Sequence, residues 1–369
     1  MNLTFCAPCL FGLEGLAADE LRYLGMENVR SETGRVLFEG DERALVKANL
    51  WLRTAERVYV LLGEFPAPTF DALFEGTKAL PWEQLIDYYA AFPVKGSSLD
   101  SALKSIPDCQ RIVKKAVAER LGQKYREARL PETGSVCQIR FALMKDRASL
   151  YLDASGPSLH KRGWRAESTE APLRETLAAA MVKLSRFKGR ETFLDPFCGS
   201  GTIAIEAALA ALNRAPGLGR RFAAESWKSI PASLWEDERA AAGEKEYRGD
   251  YRIFASDVDP KALEVAKANA AKAGVADYIT FSRADARQLT LPEEKGVLIT
   301  NPPYGDRLMD TREAELLARS IGKSWRSSRD WRLYILTSDL DFEKNFGRRA
   351  AKRRKLYNGM IQCQLYMYF

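Results

Sequence analysis

The chain has a single histidine, His160, among 369 residues. Any histidine-based metal site or Ser-His-Asp triad would have to be built on that one side chain. Cysteine is also sparse. Cys6, Cys9, Cys109, Cys137, Cys198 and Cys363 are scattered over the whole length, unlike the dense framework of a small secreted domain. They read as reduced thiols of a cytoplasmic protein. Cys6-Ala7-Pro8-Cys9 is one CxxC without a second pair, too few ligands for a structural zinc site, so no metal is expected. No run of about 18 apolar residues occurs, which argues against a membrane-spanning helix. The first residues lack a basic n-region and Glu14 breaks their apolar stretch, against the pattern of a signal peptide. Internal repeats and low-complexity tracts are absent.

What is present is ordinary globular composition, 46% hydrophobic and 28% charged, long enough for two or three domains. The net charge of +7 permits a polyanionic partner without requiring one.

Two grammars divide the chain. In the first, Glu14–Leu24 has helical apolar spacing, Val29–Thr33 and Arg35–Glu39 read as strands around Gly34, Arg43–Leu52 as a helix and Arg57–Phe65 as a strand. Pro66 and Pro68 mark a joint. Phe92–Lys95 is a strand candidate, and Ser105–Leu121 carries a helical stripe with Pro107 in its first turn. Val136–Leu143 alternates, with Cys137, Ile139, Phe141 and Leu143 on one face. With Ser149–Asp153 across Lys145-Asp146, it predicts a hairpin. Ser155–Ser158 breaks the pattern and suggests a boundary near 156. Beyond it, strands and helices alternate, which predicts a mostly parallel sheet covered by helices. The chain ends in an antiparallel hairpin around Asn358-Gly359. Ala215–Gly249 interrupts the rhythm and reads as an insertion.

The chemistry-bearing residues fall at predicted strand ends in this second part. Asp195-Pro196-Phe197-Cys198-Gly199-Ser200-Gly201-Thr202 joins a strand to a helix, with glycines that allow a sharp turn and a close backbone approach to a ligand. Asp257 ends the next strand, where a carboxylate can accept both hydroxyls of a ribose. Asp259 is the better helix cap before Pro260, which would leave Asp257 free. Asp285 ends a third strand and could accept from an adenine amine. Asn301-Pro302-Pro303-Tyr304 follows a fourth. Two prolines fix that backbone and remove two donors, so the Asn301 side chain and the Pro302 carbonyl converge as acceptors beside the flat ring of Tyr304.

The set DPFCGSGT, Asp257, Asp285 and NPPY, in that order, resembles a class I S-adenosylmethionine-dependent amino-methyltransferase. The segments CLFGLEGLAADEL, FPVKGSSLDSALKSIPDCQRIVKKAV and RASLYLDASGPSLHKRGWR extend the resemblance to the THUMP-containing large-subunit rRNA guanine-N2 methyltransferases over essentially the whole chain. The resemblance implies a ferredoxin-like subdomain at 1–65, a THUMP RNA-binding domain at 66–156 and a Rossmann-like methyltransferase domain at 157–369. It implies S-adenosylmethionine as cofactor, held by Asp195, Phe197, Gly199, Ser200, Gly201, Thr202, Asp257 and Asp285. Catalysis would fall to Asn301, Pro302, Pro303 and Tyr304. RNA, in the form of 23S rRNA or a ribosomal precursor, would be gripped by Lys95, Lys104, Arg111, Lys114 and Lys115. Lys161, Arg162 and Arg165 on the joint, and the basic run Lys344–Lys355, are further candidates for that grip.

The nearest alternative is adenine-N6 transfer to RNA or DNA, since NPPY serves either amine and does not decide between them. Two other readings fit less well. A cytosine-C5 enzyme would place Pro-Cys where Pro302-Pro303 stands, and Cys198 reads instead as a small buried residue. A nicotinamide oxidoreductase would leave Asn301–Tyr304 unexplained.

Overall fold

Among the described residues, the strands gather into two seven-stranded sheets, one in each part of the chain. The computed structural model describes residues 2–165, 173–303, 311–326 and 330–369. The first sheet holds β1 (Leu3–Pro8), β2 (Glu27–Glu32), β3 (Arg35–Gly40), β4 (Tyr59–Pro66), β5 (Val94–Leu99), β6 (Ile139–Met144) and β7 (Arg147–Asp153). Its helices are α1 (Glu14–Tyr23), α2 (Glu42–Trp51), α3 (Phe70–Lys78) and α4 (Ile106–Tyr125). The order is β2-β3-β1-β4-β7-β6-β5, antiparallel except for the β5–β6 pair. Strand β4 pairs with β1 on one side and β7 on the other. The boundary expected near 65 thus lies at the end of a strand shared by both units.

The alternating residues Cys137, Ile139, Phe141 and Leu143 are all buried. Lys145 and Asp146 both take positive φ, as a tight two-residue hairpin turn demands. The strand itself starts at Ile139, and its partner β5 runs from Val94 to Leu99 rather than over Phe92–Lys95. Residues 92 and 137 are buried outside the ladder, so their apolar character reflects the core rather than strand pairing. Helix α4 is capped by Ser105, whose side chain accepts from Asp108 N, and Val113, Ala116, Val117 and Leu121 line its buried face.

The second sheet holds β8 (Thr192–Asp195), β9 (Ile253–Asp257), β10 (Ile279–Arg283), β11 (Gly296–Thr300), β12 (Trp331–Thr337), β13 (Lys352–Asn358) and β14 (Ile361–Tyr368). It is flanked by α5 (Glu175–Ser185), α6 (Thr202–Ala211), α7 (Ala232–Glu244), α8 (Pro260–Lys272), α9 (Thr311–Arg326) and α10 (Phe342–Phe346). Its order is β10-β9-β8-β11-β12-β14-β13. The first five strands are parallel and β14 is antiparallel to both neighbours. Every residue of β8 and β11 is buried, as central strands of a sheet covered on both faces require. Strand order reverses between β8 and β11, and ligands of open α/β sheets bind at such a switch point beyond the strand C-termini. The terminal hairpin turns one residue later than the sequence suggested. Asn358 pairs with Ile361, so Gly359, at φ 64, and Met360 make the turn.

The insertion at 215–249 is the clasp between the two parts. Phe222, Ala224, Trp227, Ile230 and Trp235 join the core of the N-terminal sheet. Trp227 Nε1 donates to Val136 O at 3.2 Å, and Arg43 pairs with Glu238 at 2.6 Å. Arg220 donates to the carbonyls of Ser158, Lys161 and Pro157. Ser155 is buried and hydrogen-bonded to Asn49 and Val58 N, whereas Gly156 and Ser158 are half-buried and Pro157 is exposed, so the break at 155–158 starts in the core and surfaces at the proline.

Candidate active site

The loop after β8 is shaped by its own backbone demands. Gly199 and Gly201 take positive φ, 50° and 82°, which side chains resist. A Cβ on Gly201 would also sit 3.1 Å from the Ala266 Cβ. Helix α6 then begins without a side-chain cap, leaving first-turn N–H groups available for an anion. Cys198 is buried as expected, and burial pushes its thiol up, away from nucleophilic use.

Asp195 is fully buried. Its Oδ1 accepts from Thr300 Oγ1 at 2.7 Å and Phe197 N at 3.2 Å. Its Oδ2 has no partner among the described residues. Burial raises its pKa to about 7. A buried carboxylate oxygen without a partner costs free energy, and a cationic ligand group would relieve that cost.

Asp257 is half-buried and is not wholly free. Oδ2 accepts from Gly199 N at 2.9 Å and Oδ1 from Asp259 N at 3.0 Å, so it braces the glycine loop as well as facing outward. Asp259 caps α8 through Lys261 N, as expected. Asp285 differs more. Its carboxylate takes the Arg287 guanidinium, with contacts of 2.6–3.0 Å, and Arg287 N. That pairing holds its pKa below the usual range. An adenine amine at Asp285 would share the carboxylate with Arg287.

Asn301 and Pro302 follow β11 directly. Asn301 Oδ1 is buried and has no hydrogen-bond partner among the described residues. Pro302 is buried and Pro303 half-buried. Tyr304 lies outside the described residues. The strand ends bring Asp195, Asp257, Asp285 and Asn301 to one edge of the parallel sheet.

Ser200 and Thr202 are in the loop, but their hydroxyls face Arg165, which donates to them at 2.9 and 2.8 Å. Ser200 O accepts from Asn269 Nδ2 at 3.0 Å. Sequence reasoning missed the parts played by Arg165, Thr300 and Asn269. It also misplaced two joint residues. Arg162 is 3% exposed and paired with Glu206, so it is a core ion pair, and Arg165 is bound to the loop after β8.

Of the candidate RNA contacts, Lys95, Lys104, Arg111 and Lys115 are exposed. Arg111 pairs with Asp108. Lys114 is half-buried, 2.6 Å from Glu132 and over the Phe92 ring, which ties it to the fold. Among 344–355, Arg353 is paired with Glu343 and Arg354 reaches Gly12 O. Residues 352–355 lie on β13, the edge strand, where charge also blocks edge pairing. Among the described residues no three His, Cys, Asp or Glu side chains gather as a metal-ligating group, and no helix is long and apolar enough to cross a membrane.

A five-stranded parallel core closed by an antiparallel strand, with a glycine loop and acidic strand ends at the switch point, defines a Rossmann-like methyltransferase that uses S-adenosylmethionine. The unpartnered Asp195 oxygen, the positive-φ glycines and the uncapped α6 fit that cofactor. Comparison with known proteins agrees. Residues 162–367 match the family model described as RMKL-like, methyltransferase domain, 4–59 the RlmL ferredoxin-like domain and 67–153 the THUMP domain. The chain belongs to the RMKL-like methyltransferase family. It is 45% identical to "Putative RNA methyltransferase YpsC" of Bacillus subtilis (strain 168), over 99% of this chain and 96% of the relative. It is 37% identical to "Ribosomal RNA large subunit methyltransferase K/L" of Psychromonas ingrahamii over 99% of this chain, and spans half the length of that relative. The crystal structure of SMU.472, "a putative methyltransferase complexed with SAH", superposes with a TM-score of 0.95 at 40% identity, covering all of this chain and 98% of the other.

Proposed function

We propose that this chain transfers a methyl group to an exocyclic amine of a base in large-subunit ribosomal RNA, and that the amine is guanine N2. The observation that carries the amine chemistry is Asn301 Oδ1, buried at the end of β11 and without a partner among the described residues, followed by two prolines that offer no donor to compete for it. The choice of guanine N2 over adenine N6 rests on the resemblance to the rRNA guanine-N2 methyltransferases. An exocyclic amine donates two N–H groups, and its lone pair is conjugated into the ring. The Asn301 side chain accepts one N–H and the Pro302 carbonyl the other, which draws the nitrogen toward a pyramidal, nucleophilic geometry. Tyr304 stacks on the base, which must leave its helix or loop to enter. Bound S-adenosylmethionine supplies the electrophilic methyl. Asp195 accepts from the ammonium of the cofactor's methionine part, the 199–201 backbone cradles that part, Asp257 takes the ribose hydroxyls and Asp285 meets the adenine. Orienting donor and acceptor in this way is worth much of a methyl-transfer barrier.

RNA as substrate is supported by the THUMP match and by the names of the relatives, and the exposed lysines at 95, 104 and 115 suit a phosphate backbone. The test is nucleoside mass spectrometry of ribosomal RNA from a deletion strain, before and after incubation with purified protein. Restoration of N2-methylguanosine supports the reading. Restoration of N6-methyladenosine would transfer it to adenine, and no change in any base would end it.

A further inference from the structure

Arg165 closes the segment that joins the N-terminal sheet to the catalytic sheet, outside the motif that carries the cofactor loop. Its guanidinium is largely buried, with 18% of the side chain exposed, and it spends its donors inward. Nε donates to Glu175 Oε1 at 2.8 Å, Nη1 to Ser200 Oγ at 2.9 Å, and Nη2 to Thr202 Oγ1 at 2.8 Å and Leu173 O at 3.2 Å. Glu175 is itself buried at the start of α5, and Trp164 lies against the guanidinium at 5.3 Å. The two loop hydroxyls are 3.3 Å apart, so one planar fork holds both sides of Gly201, the residue whose positive φ turns the loop into α6. Three residues earlier, Arg162 grips the same helix at Glu206 and donates to the Leu159 and Arg53 carbonyls of the joint and the N-terminal part.

We infer that Arg165 is a positioning residue for the cofactor: it sets the shape of the 199–202 loop through Ser200 and Thr202, and so the affinity for S-adenosylmethionine, without contacting the cofactor. A guanidinium suits this work because its five donors are fixed in one plane and reach Glu175, both hydroxyls and the Leu173 carbonyl at once, whereas a lysine ammonium offers three donors from a single point and cannot span all four. The joint between the two parts therefore backs the loop that holds the cofactor. The inference rests on the reading of 195–202 as that loop.

The test is calorimetric binding of S-adenosylhomocysteine to the full chain, with steady-state kinetics alongside. Arg165→Met should weaken binding by about tenfold or more. It should raise KM for the cofactor while kcat at saturation and RNA affinity hold. Arg165→Lys should recover part of the loss. Ser200→Ala combined with Thr202→Val leaves the Arg165–Glu175 pair in place and should weaken binding similarly even if Arg165→Met proves unstable. Adding Arg165→Met to that pair should cost little more, because all three act through one contact. Unchanged affinity in Arg165→Met, full additivity, or a fall in kcat without a rise in KM would overturn the inference. Failure of the wild-type chain to bind S-adenosylhomocysteine would instead overturn the reading of the loop itself.

Discussion

Thr300 Oγ1 donates a 2.7 Å hydrogen bond to Asp195 Oδ1, joining the ends of β11 and β8 across the point where strand order reverses. Thr300 directly precedes Asn301, and Asp195 opens the loop proposed to hold the cofactor. One buried contact thus ties the groups proposed to hold the base to those proposed to hold the cofactor. Their relative position matters because methyl transfer depends on alignment of the two reacting atoms.

The burial of Asp195 has a pH signature that the Thr300 hydrogen bond opposes only in part. Burial raises the Asp195 pKa to about 7. A carboxyl raised in the folded state binds its proton more tightly there than in the unfolded chain. Its stabilising contribution is complete below the unfolded value and is lost as pH rises through about 7. Asp195→Asn cannot ionise, so the free variant should be more stable than wild type by roughly 1–3 kcal/mol near pH 8, with a smaller gap near pH 5. It should also bind S-adenosylhomocysteine more weakly, having lost the charge proposed to meet the ammonium. Denaturation at both pH values checks this, and a gap that does not change with pH would refute it.

Asp257→Ala should weaken cofactor binding by about 1–3 kcal/mol, the scale of hydrogen bonds to a charged group. The loss includes the brace on Gly199 N as well as the proposed ribose contact. Isothermal calorimetry decides, and wild-type affinity in the variant would remove the ribose assignment.

Asn301→Ala and Tyr304→Ala should lower methyl transfer by about a hundredfold or more, the usual cost of removing a positioned transition-state partner. Cofactor affinity should largely survive, since the proposed contacts are to the base. Single-turnover rates with saturating cofactor provide the measurement, and wild-type turnover would dismiss the segment as the active centre.

The RNA grip is tested by charge. Reversing Lys95, Lys104 and Lys115 to glutamate should weaken RNA binding and flatten its salt dependence by roughly 0.7–0.9 in log–log slope per lost phosphate contact. Cofactor affinity should not change. Arg111 and Lys114 are poorer choices because each already pairs with a carboxylate. An unaltered slope would show this face to be solvated surface.

The clasp should be costly to cut. Trp227 is 2% exposed and donates to Val136 O, so Trp227→Ala should destabilise the chain by roughly 3–5 kcal/mol. Chemical denaturation of the variant provides the check.

Much of this molecule was determined by sequence alone, because the signals are local. Alternation at Cys137–Leu143, Pro107 in the first turn of α4, and the Asp259 cap before Pro260 each act within a few residues, where backbone sterics and short hydrogen bonds decide conformation. The strand-end acids and Asn301-Pro302-Pro303 were legible for the same reason, since a βα series puts such residues at one edge of its sheet. Tertiary structure alone decided how those groups are engaged. Arg162 and Arg165 look like solvated basic residues in sequence, yet their partners Glu206 and Thr202 lie 44 and 37 positions away. Burial drives them into those pairs, because an unpaired buried charge is too expensive to keep. Asp285 read as available, and its pairing with Arg287 two residues on could have been guessed only with the turn geometry in hand. The aromatic residues of 215–249 gave no local sign of their destination. They pack into the N-terminal core because apolar burial is non-directional and is settled only when distant surfaces meet.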